Sequence, residues 1–194
     1  IPGKIKSDQN YYEADFLSAL NQLISQPGAV IDIGANIGNH TVYFAKSTNR
    51  KIIAFEPEPL NHLCLLANIA LNNISSQVQA HEIALGNSDE SITLTMAIEG
   101  NHGSFTRINT NTPTAHTFEI SSALKTKTLD AALQEYHRDD EISLLKIDVE
   151  GMELEVLNGG IQTIKKNKPI IACECSTENQ LKNVEYFLEP LGYA

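Results

Sequence analysis

The sequence predicts an α/β fold, doubly wound around a mainly parallel sheet, and three observations carry that expectation. Short apolar runs of strand character alternate with helical patterns of ten or more residues, the alternation that right-handed crossovers and a sheet covered on both faces produce. A glycine-containing turn, Asp32-Ile-Gly34-Ala-Asn36-Ile-Gly38, joins the first such run to a helix. The 194 residues, 42% hydrophobic and 20% charged, suit one soluble globular domain, here 1–194.

Taken in order, Phe16, Leu17, Leu20, Leu23 and Ile24 recur with a helical period until Pro27-Gly28 stops that helix. Residues 1–28 thus form an N-terminal cap segment ahead of the sheet. Strands are expected at 29–33, 51–55, 78–85, 142–149 and 169–173. Helices are expected at 60–72, with Leu60, Leu63, Ala67, Ala70 and Leu71 on one face, at 152–166, with Leu154, Leu157, Ile161 and Ile164, and at 178–190. Residues 86–128 break the alternation, with strands at 91–97 and 118–127 around a polar loop at 99–116. A hairpin and loop inserted between the third and fourth core strands is more often functional than decorative, so it reads as a substrate-side flap. His102 and Ser104 in that loop are candidate substrate contacts.

Composition removes several classes of function. Fourteen Lys and Arg face 24 Asp and Glu, and a net charge of −10 opposes the counterion displacement that binding to nucleic acid requires. No apolar run approaches the ~20 residues of a membrane helix. Three cysteines, two of them in Cys173-x-Cys175, supply neither a disulfide framework nor a zinc ligand set. Free thiols in a reducing compartment, the cytoplasm, are expected. No signal or transit segment is visible, and the ends read as trimmed.

The turn after the first strand sits where open α/β sheets bind ligands, outside the carboxyl ends of strands. A dinucleotide fingerprint G-x-G-x-x-G starting at Gly34 would need glycine where Asn36 and Asn39 stand, which disfavours a pyrophosphate and hence a nicotinamide oxidoreductase. Asp32 would repel a pyrophosphate too, yet suits a cationic or zwitterionic ligand. Glu56, ending the second strand, can accept hydrogen bonds from ribose hydroxyls. Together these features indicate a nucleoside without a diphosphate. Strand alternation places Lys146, Asp148 and Glu150 on one face, where buried charges must pair or meet ligand and water. Asp148 is the foremost candidate there, and Glu174, after the fifth strand on the same edge, is a candidate substrate contact.

Several blocks resemble the FkbM family of S-adenosylmethionine-dependent methyltransferases: Val30 to Gly38, Ala54-Phe-Glu-Pro57, Leu66 to Asn72, Leu85-Gly-Asn-Ser88, Lys146-Ile-Asp-Val-Glu-Gly-Met-Glu153 through Leu157, Lys168-Pro-Ile-Ile and Glu174. The resemblance spans roughly 11–193. It implies a class I, Rossmann-like methyltransferase fold with strand order 3-2-1-4-5 and a final antiparallel hairpin, which is expected to be missing because the sequence stops where the sixth strand should begin. It implies that Asp32, Gly34, Ala35, Asn36, Gly38, Asn39 and Thr41 hold the methionine moiety of S-adenosylmethionine. Glu56 and Pro57 then serve the ribose, and Glu82, Ile83 and Ala84 border the adenine. Tyr12 and Glu13 resemble the family's Tyr-Glu and would close over the cofactor.

The family methylates hydroxyls of sugars or natural products, so a small-molecule or glycan hydroxyl is the implied acceptor. An alcohol needs a base, for which Asp148 and Glu150 are the candidates. In a variant, Asp148 and Glu174 hold a divalent cation. The metal-free base is preferred, since Lys146 and Glu150 already offer charge partners. The rival from another class is a non-catalytic cofactor-binding or partner-docking module.

Overall fold

The computed structural model describes residues 11–89, 91–96, 105–107 and 118–193, which fall into two compact units. The first contains α1 (Ala14–Leu23), β1 (Ala29–Ile33), α2 (Asn39–Ser47), β2 (Ile52–Phe55), α3 (Pro59–Leu71) and β3 (Val78–His81), with residues 140–146 and 168–172. The latter stretches carry most of β8 (Ile142–Ile147) and β9 (Ile170–Cys173), and the sheet order is β3-β2-β1-β8-β9. β1 and β2 are buried along their whole lengths, as continuous apolar runs in a parallel sheet should be. Their parallel register runs from Val30↔Ile52 to Ile33↔Phe55, and that of β2 with β3 from Ile52↔Val78 to Phe55↔His81.

α1 buries Leu17 and Leu20 and leaves Phe16 and Leu23 exposed. The link to β1 is pinned by Arg50, whose guanidinium donates to the carbonyls of Ile24, Gln26 and Gly28 at 2.8 to 3.3 Å and to the Ser143 hydroxyl. At Gly28 (φ 127°) an added Cβ would lie 2.8 Å from the Glu141 carbonyl oxygen, so only glycine fits.

α3 turns out opposite to the sequence expectation. Asn61, His62, Leu65 and Ile69 are buried, whereas Leu60, Leu63, Ala67, Ala70 and Leu71 are exposed. The helix is apolar nearly all round, so periodicity alone offered two faces, and its asparagines chose between them. Asn68 Nδ2 donates to the Ile37 carbonyl at 2.7 Å, and the Asn61 side chain hydrogen-bonds Glu56. Those bonds turn the Asn61-Leu65-Asn68 face inward.

The expected strand 78–85 is two strands. The chain leaves the first sheet after His81 and enters a second one as β4 (Ala84–Gly86), in the second unit. There β4 joins β5 (Ser91–Met96), β6 (Phe105–Arg107) and β7 (Phe118–Thr128) in the order β4-β7-β5-β6. β4 runs parallel to β7, while β5 is antiparallel to both β6 and β7, with a register irregularity between Leu94 and Met96. Where a hairpin was expected, the chain builds part of a four-stranded sheet.

α4 (Leu129–Tyr136) was not anticipated, because β7 runs into it without a breaker; Thr128 caps it, accepting from Ala131 N at 3.1 Å. The single helix expected at 152–166 is α5 (Glu153–Gly159) and α6 (Ile161–Asn167). An added Cβ at Gly159 would come within 2.0 Å of the Gly86 carbonyl oxygen, so the end of α5 lies directly on β4. Asp130 then accepts from the N–H groups of Gln162 and Thr163 and restarts the helix. α7 (Glu178–Leu188) closes the described chain with a 3₁₀ turn at Glu189–Leu191. Among the described residues no helix is long and apolar enough to cross a membrane.

Candidate functional site

In the first unit the turn after β1 is a cradle of backbone groups. Gly34 (φ 75°) and Ala35 both donate to the Phe55 carbonyl at 3.0 Å, locking the turn to the end of β2. Asn36 takes a left-handed conformation (φ 52°), which asparagine tolerates, and its N–H donates to Glu56 Oε2 at 2.7 Å. Gly38 (φ 92°) precedes α2, and an added Cβ would fall 2.6 Å from Leu65 Cδ1. The Glu56 carboxylate is buried, and its Oε1 accepts from Glu58 N at 3.0 Å. Burial pushes this carboxyl up, against the opposing N–H groups of Glu58 and Asn36 and the Asn61 side chain. Pro57 beside it is half-exposed.

Asp32 and Thr41, expected on the cofactor, are sealed inside at 0% exposure. Thr41 Oγ1 donates to Asp32 Oδ2 at 2.6 Å, and Lys146 Nζ lies 3.0 Å from Asp32 Oδ1. Burial would raise the Asp32 carboxyl, but the Lys146 ammonium, His40 and the Thr41 hydroxyl outweigh it and hold the carboxyl below its ordinary range. The same lysine donates to the Gly34 carbonyl at 3.1 Å. Asp32, Thr41 and Lys146 therefore brace the turn from behind.

Asn39, at the start of α2, ties down the segment ahead of α1. Its amide forms two bonds with the Tyr12 backbone, at 3.0 and 3.1 Å, and His40 Nε2 sits 3.3 Å from Glu13 Oε2. Tyr12 and Glu13 thus form a strap fastened to the start of α2. Ala35 is buried, and only its main chain takes part in the turn's bonding.

In the second unit β8 gives out at Ile147, so strand alternation does not extend to Asp148 and Glu150 as expected. The chain turns at Glu150 (φ 52°) and Gly151 (φ 100°). The buried Glu153 shapes this loop, its Oε1 accepting from Gly151 N at 2.9 Å and Val149 N at 3.4 Å. Asp148 is half-exposed, while Glu150 and Glu174 are exposed. The Glu150 carboxyl is pushed up by burial and then by the charges of Asp148 and Glu153. Burial, Cys175, Glu153 and Asp148 push the Cys173 thiol up as well, which favours the protonated thiol. Among the described residues no group of three or more His, Cys, Asp or Glu is arranged to hold a metal ion.

Glu82 is exposed after β3, Ile83 half-buried and Ala84 buried as the first residue of β4. His102 and Ser104 lie outside the described residues. Sequence reasoning missed the Asp32–Lys146 pair and the role of Glu153. The signal for the pair was there: one acidic and one basic residue, each alone within an apolar strand.

A mainly parallel sheet of this order with flanking helices, a glycine turn after β1 and an acidic residue after β2 define the class I methyltransferase fold, which is Rossmann-like. Residues 32–194 match the methyltransferase FkbM domain, and the chain belongs to that family. It is 33% identical over 143 residues to Methyltransferase 1 of Beauveria bassiana (strain ARSEF 2860), covering 67% of this chain and 57% of that protein. Methyltransferase sdnD of Sordaria araneosa is 33% identical over 153 residues, covering 67% and 59%. The chain thus spans somewhat over half the length of these relatives. The crystal structure of Methyltransferase FkbM from Methylobacillus flagellatus KT shares the fold, with a TM-score of 0.57 at 19% identity over 84% of this chain and 37% of that one.

Proposed function

We propose that the chain is an S-adenosylmethionine-dependent methyltransferase acting on a hydroxyl of a sugar or natural product. The observation that carries this reading is Glu56. Its carboxylate is preset by two main-chain N–H groups and the Asn61 side chain, which occupy three of its roughly four acceptor positions and leave one for a ribose hydroxyl. The adjoining backbone of Gly34 to Gly38 would hold the amino-acid end of the cofactor, while Glu82 and Ile83 would border its base.

Bound there, the cofactor supplies an electrophilic methyl group on a sulfonium. The chain's own tasks are to position the acceptor oxygen in line at about 3 Å and to take its proton. Asp148 is the proposed base, half-exposed in the loop that follows β8. The net charge of −10 supports a small-molecule or glycan acceptor over nucleic acid.

Calorimetry tests the reading. S-adenosylmethionine and its demethylated product should bind in the micromolar range and NAD should not. Glu56→Ala should weaken cofactor binding by roughly 1.5 to 3 kcal/mol, the loss of charge-assisted hydrogen bonds. NAD binding, or an unchanged affinity in the variant, would sink the assignment.

A further inference from the structure

Every exposed position of α3 is apolar, and no residue from Pro59 to Leu71 is charged. A surface helix is ordinarily polar on its solvent side. Here Leu60, Leu63, Leu66 and Leu71 are 49%, 62%, 44% and 79% exposed, and the exposed Ala67 and Ala70 lie among them. Patches of this kind mark contacts.

Three features select the occupant. Positions 60, 63, 67 and 70 recur at alternating intervals of three and four, the seam of one helix packed along another. Size is graded along the seam, with leucines in the first half and alanines in the second before Leu71. Reversed against itself about a two-fold axis, such a helix sets Leu63 on Ala67 and Leu60 on Ala70, large against small from both sides.

The charges at its ends follow the same symmetry. Glu58 caps the N-terminus, while the exposed Lys46 is held at the C-terminal end by Asn72, with Nζ 2.9 Å from Oδ1. Antiparallel pairing brings each Glu58 toward the other copy's Lys46 and opposes the two helix dipoles. A chain of net charge −10 repels its copy over most surfaces, and α3 is a stretch free of carboxylates. A lipid surface would call for flanking basic residues that this helix lacks.

We propose that the outer face of α3 is the contact through which two copies of the chain pair, helix against antiparallel helix about a two-fold axis. Four leucines and two alanines per copy make a small contact, at the low end of specific interfaces (~1,000 Å² in total), so the expected dimer is a reversible one.

Sedimentation velocity of the full chain from 1 to 100 μM tests it, with folding of each variant checked by circular dichroism and thermal unfolding. A concentration-dependent dimer is expected. Leu63→Glu, at an exposed position, should weaken dimerisation about 100-fold or more without loss of fold, and Lys46→Glu about 5- to 10-fold. A chain that stays monomeric throughout, whatever else covers α3, overturns the proposal. So does a dimer indifferent to Leu63→Glu, and one indifferent to Lys46→Glu overturns the antiparallel arrangement.

Discussion

Two strand-to-helix junctions in this chain use similar residues in opposite ways. After β1 the acidic residue lies within the strand, fully buried, and is answered by Lys146, Thr41 and His40. After β8 Asp148 and Glu150 lie in the loop, partly or largely exposed, and the charges of Asp148 and the buried Glu153 bear on Glu150. Both junctions have left-handed turns, at Gly34, Asn36 and Gly38 in one and at Glu150 and Gly151 in the other. The difference teaches that a carboxylate's partners, more than its place at a strand end, decide its work. The first junction fixes its backbone through paired buried groups, and the second leaves carboxylates within reach of solvent; the proposed tasks of holding the cofactor and taking a proton divide along that line.

The largest test of this contrast removes the counter-ion at the first junction. Lys146→Met leaves Asp32 buried beside only the weaker partners and should cost 3–5 kcal/mol of stability by denaturant unfolding. pH gives the sign independently. The Asp32 carboxyl is held below its ordinary value of 3.8 in the folded chain, so the unfolded chain binds the proton more tightly. The pair's contribution is therefore complete above that value and is lost as pH falls through the lower folded one. The stability gap between the wild type and Asp32→Asn should accordingly close in that acid window; a constant gap would mean that the charge is not what stabilises the turn.

Next in size is Asp148→Asn, which keeps the shape and removes the proton acceptor. Turnover should fall ~100-fold or more, with cofactor affinity within a few fold and stability nearly unchanged. Near-normal turnover would erase the division of labour between the two junctions. Activity that vanishes with a chelator and returns with magnesium would instead reinstate the cation variant at Asp148.

Smaller effects sharpen the comparison. Glu153→Gln keeps an acceptor for Gly151 N but deletes a charge, at a cost of about 1 kcal/mol. In a carboxyl-carbon NMR titration Glu150 should then titrate lower than in the wild type, because one of the charges pushing it up is gone. Asn39→Ala frees the Tyr12 backbone, and the segment ahead of α1 should be cleaved faster by protease while the global unfolding free energy drops by about 1 kcal/mol or less.

The order of strands and helices was legible in the sequence because buried parallel strands are nearly all apolar. β1 lies where the apolar run put it, at Ala29–Ile33. That Glu56 stands directly after β2 was legible too. What escaped was set by contacts between distant residues. The inward face of α3 follows from Asn61 and Asn68 finding Glu56 and the Ile37 carbonyl. The break between α5 and α6 follows from Gly159 meeting Gly86. The pairing of Asp32 with Lys146 was not legible because the two are far apart in sequence and Lys146 seemed to belong with its own neighbours Asp148 and Glu150.

That distance also bears on how the chain comes to be folded. Lys146 closes on the Gly34 carbonyl across 112 residues, and β1, in the middle of its sheet, gains its second neighbour only with β8. On a ribosome, β1, its turn and Glu56 emerge early and can pair with β2 and β3, while the other edge of β1 stays open and Asp32 stays hydrated. Closing so long a loop is slow, and an open strand edge meanwhile invites pairing with other chains. The turn after β1 is therefore synthesised more than a hundred residues before the lysine that makes it rigid.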